Sequence, residues 1–152
     1  MTQVLMAMIK EHEGFRSKPY LCSEKKLTIG YGRNLSDVGL TKDEMGMLGG
    51  KKIEEGISKR EAEVLLDNDV ERATQDIKSV FPQFDTFSTD RKNALTDMMF
   101  NLGKTRFSGF SKMIEAINTE DWEKAYAEAK NSKWHNQVGN RAVKIEKLLL
   151  MG

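Results

Sequence analysis

Three side chains near the start of the chain have types and an order that suit the hydrolysis of a glycosidic bond. They are Glu13, Cys22 nine residues later, and Thr28 six after that. Such a reaction needs a proton for the departing oxygen and a water or nucleophile on the other side of the sugar. A glutamic acid can give the proton. A hydroxyl can hold the water, and a thiol becomes a base or nucleophile once ionised. At pH 7 an unperturbed thiol, with a pKa of about 8.5, is mostly neutral. Taken singly, the residues read more plainly. Glu13 is then a solvated carboxylate in a last helical turn, and Cys22 a small apolar residue at a sheet edge.

The elements around them give these types a setting. Residues 1 to 12 are predicted to form a helix with Val4, Leu5, Met8 and Ile9 on one face. Gly14, free to adopt the left-handed conformation, ends it. Glu13 then sits at the negative end of the helix dipole, which favours keeping a proton. Residues 15 to 35 are expected to form a small antiparallel sheet, with Glu24-Lys25-Lys26 as a turn and Leu27-Thr28-Ile29 as a strand. Gly30 and Gly32, either side of Tyr31, predict a bend or a close backbone approach. Thr41-x-x-Glu44 is a capping box opening a short helix closed by Gly49-Gly50. Ser58-x-x-Glu61 is a second, followed by a stripe at Ala62, Leu65, Leu66, Ala73, Ile77 and Val80 that stops at Phe81-Pro82. That helix, about 22 residues at ~1.5 Å each, is about 33 Å long. It is long enough to join two lobes with a groove between them, or to serve as the core helix of a bundle.

From Asp90 the pattern is helical to the end. One stripe runs through Ala94, Leu95, Met98, Met99 and Leu102 and is closed by Gly103, with residues 107 to 110 as a connector. A short helix carries Ile114 and Ile117. Another carries Trp122, Ala125, Tyr126 and Ala129, and a last one begins at Gly139-Asn140-Arg141. Nine methionines fall mostly at helical core spacings and read as packing.

With 152 residues, 39% hydrophobic and 31% charged, the chain suits one globular domain or two small lobes. A net charge of +1 identifies no partner, and nothing points to nucleic acid. The region from Lys130 onward is basic, with Lys133, Arg141, Lys144 and Lys147 against Glu146. That face could attract an anionic polymer or simply be solvated. One cysteine excludes an internal disulfide and suggests a reducing compartment. No apolar run reaches the ~20 residues of a membrane span, and residues 4 to 9 are too short for a signal core. His12 and His135 lack ligand spacing, so neither a metal nor another cofactor is expected.

The stretch from Glu13 to Asn34, with Thr28-Ile29-Gly30-Tyr31-Gly32, resembles the active-site hairpin of the phage-type lysozymes, glycoside hydrolase family 24, and their T-even members in particular. That pattern is Glu, eight residues, Asp or Cys, five residues, Thr. Residues 94 to 113 and 132 to 142 are similar to further family segments, so the likeness covers nearly the whole chain. It implies an α+β, two-lobed lysozyme fold. A small antiparallel sheet lobe (about 13–57) would be joined by a long helix (about 58–80) to a helical lobe (about 81–152, with helix 1–12).

The resemblance also implies hydrolysis of the β-1,4 bond between N-acetylmuramic acid and N-acetylglucosamine in peptidoglycan. Glu13 would be the general acid and Thr28 the holder of the water. Cys22 stands where the T-even members have aspartate, which leaves stereochemistry and pH profile open. Tyr31, Asn101 and Arg141 are expected to bind substrate or support the acid, with Arg141 beside Glu13. Phe100 is a further candidate for sugar contact and equally one for the core, and Trp134 reads as core. Arg33 and Asp69 match an ion-pair position in which arginine replaces histidine, so the pair should not titrate near neutral pH. An endolysin of this kind would be a monomer that inserts in no membrane. It would wait in the host cytoplasm until a holin lesion lets it reach the periplasm and wall. A virion-borne wall-cutting lysozyme and a non-catalytic wall-binding homologue are the alternatives.

Overall fold

The computed structural model describes residues 2 to 152; Met1, included in the predicted first helix, lies outside them. The order is α1 (Thr2–Glu13), β1 (Arg16–Leu21), β2 (Leu27–Gly30), β3 (Arg33–Asn34), α2 (Lys42–Met47), α3 (Lys59–Val80), α4 (Thr89–Ser108), α5 (Ser111–Asn118), α6 (Trp122–Lys130), α7 (Lys133–Val138) and α8 (Asn140–Met151). Short 3-10 turns lie at Ile53–Glu55 and Phe84–Thr86. This is the α+β fold expected, with one small antiparallel sheet in the order β1-β2-β3.

Two compact units divide the chain. One is Met6–Glu71; the other joins the residues up to Leu5 to Arg72–Gly152. The division therefore passes through α1 and α3, not at their ends.

In the sheet-bearing unit, Met8 and Ile9 of α1 are buried with Ile29, Leu48, Ile57, Ala62, Leu65, Leu66 and Val70. Val4, expected on the same face of α1, is exposed. Both capping boxes form. Thr41 Oγ1 accepts from the Glu44 N–H at 3.1 Å, and Ser58 Oγ accepts from the Glu61 N–H at 3.0 Å. The glutamates reach back to the Thr41 and Ser58 N–H groups, each at 2.9 Å.

Within this unit Arg33 is buried and all five of its N–H donors are used. Nε donates to both Asp69 oxygens at 3.0 Å, and Nη1 to Glu44 Oε1 at 2.8 Å and Gly39 O at 3.0 Å. Nη2 donates to Glu44 Oε2 and to Leu65 O at 3.2 Å. The Arg33 hydrogen bonds hold the Glu44 carboxyl at about 2, well under its ordinary value.

The helical unit is built on Phe81, Phe84, Phe87 and Phe107, edge-packed at about 6 Å, with Trp122 against Phe87 at 5.0 Å. Met98, Met99 and Met113 are buried there, while Met45, Met47 and Met151 are exposed. Gly103 does not end the helix as predicted. It makes a kink (φ 76°, ψ 163°), and helix resumes to Ser108 because Phe107 is buried in the aromatic cluster. Helix α7 was not anticipated. Ser132 caps it by accepting from the His135 N–H at 3.2 Å, and it buries Trp134.

Candidate active site

Glu13 is the last residue of α1. The Gly14 N–H returns to Lys10 O at 2.9 Å, and Gly14 is left-handed (φ 70°), so the chain turns out of the helix directly after the carboxylate. The hairpin comes back to meet it. A Cβ added to Gly32 would lie 2.6 Å from Glu13 Oε1 and 2.8 Å from its Cδ. The carboxyl group therefore rests on the bare α-carbon of the β2–β3 turn. That explains the close approach the Gly30-Tyr31-Gly32 spacing predicts.

Cys22 and Thr28 come together through strand register. In the β1–β2 pair Tyr20 faces Thr28 and Leu21 faces Leu27, and the Cys22 N–H donates to Lys26 O at 3.0 Å. Side chains alternate along a strand, so Tyr20, Cys22 and Thr28 share one face. Leu21 and Leu27 share the other and are 67% and 38% exposed. At this end of the hairpin the leucines face water, while Thr28 is only 5% exposed. The strand pair here covers reactive groups rather than an apolar core.

The Thr28 hydroxyl has one proton and two acceptors. It gives that proton to Lys26 O at 3.0 Å while the thiol is neutral, and the Cys22 sulfur, also within bonding reach, draws it over on ionising. Burial pushes the Cys22 thiol up, but backbone N–H groups of Lys26 and Glu24 and the Thr28 hydroxyl bond the thiolate and outweigh it. The net result is a thiol below its ordinary value. Alkylation of Cys22 by iodoacetamide is therefore expected to titrate below the midpoint of a free thiol measured alongside it. Thr28→Val should move that midpoint up; a midpoint at or above the free-thiol value in the unmodified protein would contradict this account.

Tyr20 was not singled out from the sequence. Its ring lies under the Arg16 guanidinium at 4.4 Å. Partial burial raises its phenol, the Glu13 and Cys22 charges raise it further, and Arg16 opposes them. The only sequence signal was its place two residues before Cys22, and that needed the register to interpret.

Tyr31 was expected to present its ring to a sugar. It is 9% exposed, with Lys10 Nζ 5.4 Å over the ring and Phe15 5.4 Å away. These neighbours take up ring surface, so Tyr31 fastens the turn to α1.

Asn101 and Arg141 belong to the helical unit. Asn101 Oδ1 accepts from Trp134 Nε1 at 2.7 Å, and Trp134 is buried, as its core reading required. Arg141 donates to buried Asp97 Oδ1 from Nε at 2.9 Å and Nη2 at 2.6 Å, and lies 6.0 Å over the Phe100 ring. Asp97 was missed as its partner. His135 Nδ1 lies 2.7 Å from Glu146 Oε2, a side chain that is buried and was read from the sequence only as a charge.

Among the described residues no helix is long and apolar enough to cross a membrane. Among them, too, no group of three or more His, Cys, Asp or Glu side chains could hold a metal ion.

Comparison with known proteins finds relatives across most of the chain. The chain is 30% identical over 95% of its length to the pre-baseplate central spike protein Gp5 of Enterobacteria phage T4, of which it spans only 27%. It is 29% identical to a probable T4-type lysozyme 2 of Dictyostelium discoideum, covering 95% of this chain and 92% of that one. An endolysin of Acyrthosiphon pisum secondary endosymbiont phage 1 is 26% identical, over 81% of this chain and 73% of its own. The family model for phage lysozyme matches residues 10–148, so the carboxylate, the thiol and the hydroxyl all lie inside it, and the chain belongs to the phage lysozyme family.

Proposed function

We propose that this protein is a muramidase that hydrolyses the β-1,4 bond between N-acetylmuramic acid and N-acetylglucosamine in peptidoglycan. The observation that carries the reading is the packing of Glu13 against the hairpin whose sheet face bears Cys22 and Thr28. Glu13 gives its proton to the leaving glycosidic oxygen. A water held by Thr28 attacks the anomeric carbon, and the Cys22 thiolate takes the proton that water loses. The bond from carbon to the leaving oxygen breaks as the bond to water forms, so one water is consumed per cut. Because Cys22 serves in its ionised form, the rate rises with pH through its lowered pKa. Asn101, whose Oδ1 is held by Trp134, keeps its amide N–H groups for substrate. Arg141, fixed by Asp97, is a support and not a proton carrier.

Two biological settings fit. The likeness to an endolysin supports release of progeny by host lysis, with access to the wall through a holin lesion. The likeness to a baseplate spike protein supports wall cutting from a virion. Mass spectrometry of digested peptidoglycan tests the chemistry. Reducing N-acetylmuramic acid ends are expected from the unmodified protein and, more slowly, from Cys22→Ser. Products with 1,6-anhydro ends, or no cleavage at all, would rule the proposal out. An unchanged rate in Cys22→Ser would remove the thiol from the mechanism.

A further inference from the structure

We infer that Lys10 is a positioning residue for the acid, its ammonium clasping the Tyr31 ring so that Gly32 stays seated against the Glu13 carboxyl. The inference rests on the muramidase reading and deepens it by naming what holds the acid of that site in place. Every residue it uses lies in the unit Met6–Glu71.

The seat itself has no grip. The Glu13 carboxyl rests on the α-carbon of Gly32, which has no side chain to hold it. Glu13 closes α1 and Gly14 turns the chain away, so no further helical turn steadies it. Its neighbours supply what is missing. Lys10, one turn before Glu13, puts Nζ 5.4 Å from the centre of the Tyr31 ring, inside the ~6 Å reach of a cation–π contact. Phe15, two residues after Glu13, lies 5.4 Å from the same ring. Tyr31 is thus held by residues on both sides of the acid, and it is bonded directly to Gly32.

Lys10 is tied down in turn. Its Nζ donates to Glu63 Oε1 of α3 at 2.9 Å. One turn earlier on α3, Lys59 lies 5.8 Å over the Phe15 ring. The contacts form a closed circuit: Lys59, Phe15, Tyr31, Lys10, Glu63, and back along α3. The Lys10–Glu63 pair is partly exposed on both sides, so it adds little to stability. What it does is aim the ammonium. Misplacing a reacting group by about 1 Å lowers a rate by up to about 10²-fold, so a tie that is weak for folding is strong for chemistry.

The test sets Lys10→Met, Tyr31→Leu, their double variant and Lys10→Arg beside the unmodified protein and Glu13→Gln. All are assayed on soluble peptidoglycan strands, well below the melting range of each form. Lys10→Met should lower kcat about fivefold or more with KM within about twofold, and Tyr31→Leu should do the same. The double variant should fall no further than the worse single, because both act through one contact. Lys10→Arg keeps a cation for both Glu63 and the ring, and should recover most of the rate. Parental kcat in Lys10→Met, effects that multiply in the double variant, or an arginine no better than methionine would each overturn the inference. So would a fall in Lys10→Met with none in Tyr31→Leu, since the charge would then act on the acid without the ring.

Should either single variant fail to fold, Glu63→Gln decides. It frees the ammonium from α3 and leaves α1 and the turn untouched. It should lower kcat several-fold at unchanged KM, and a parental kcat counts against the inference. The two levels are separable. If the unmodified protein cuts strands, Glu13→Gln does not, and Lys10→Met behaves as the parent, only the role of Lys10 fails. If the unmodified protein releases no reducing ends, the muramidase reading fails and takes this inference with it.

Discussion

Glu13→Gln is expected to lower the rate of wall clearing by about 10²- to 10⁴-fold, the range that a positioned general acid contributes. Glutamine has the shape of glutamic acid and can still rest on Gly32, so folding should be preserved. It has no acidic proton to give, so the leaving oxygen departs without one. The check is a turbidity assay on cells stripped of their outer membrane, with a thermal melt of each protein. Clearing above about a tenth of the parental rate, with an unchanged melt, would remove Glu13 from the acid role. A wall-binding protein without catalysis would show no clearing by either form.

Arg33→Met should be the most destabilising single change in the sheet-bearing unit. Methionine roughly fills the volume but leaves the carboxylates of Glu44 and Asp69 buried without their shared cation. Removing one partner of a buried ion pair costs about 3–5 kcal/mol. Urea unfolding at pH 7 measures it, and a loss under about 1 kcal/mol would contradict the network described.

The pH dependence follows from Glu44. Its folded pKa, about 2, lies below the ordinary value of 4.5, so its contribution is complete above about 4.5 and fades as pH falls toward 2. The gap between parent and Arg33→Met should therefore be widest at neutral pH and narrow in acid. A histidine in place of Arg33 would bring its own titration near neutrality; the guanidinium does not.

What was legible from the residues was mostly local. Both capping boxes depend on side chains three residues apart, and both form as read. The Pro82 stop and the Gly14 turn are likewise properties of single residues. What was missed depends on partners far away in sequence. Glu44 satisfies its capping box completely, and nothing near it reveals the guanidinium that also holds it. Gly103 breaks the helix with a positive φ, yet the distant pull of the phenylalanine cluster on Phe107 lets the helix resume. Tyr31 is an aromatic beside the reactive stretch, but Phe15 and Lys10 occupy it. Within the candidate site, Glu13, Cys22 and Thr28 were named through the resemblance carried by the whole stretch from Glu13 to Asn34. Tyr20 emerged only from the register, because a strand's two faces cannot be told apart until its pairing is known.

The hydrogen on the Gly32 α-carbon carries a history. A lineage that keeps the carboxylate at position 13 inherits a codon at position 32 that admits no side chain, since any would intrude on that group. A lineage that abandoned the acid would lift the steric half of this restriction, leaving only the cost of a positive φ, which asparagine tolerates better than most. A side chain at position 32 would thus displace the carboxylate by itself, and the positive φ would go on favouring glycine even where that carboxylate had been lost.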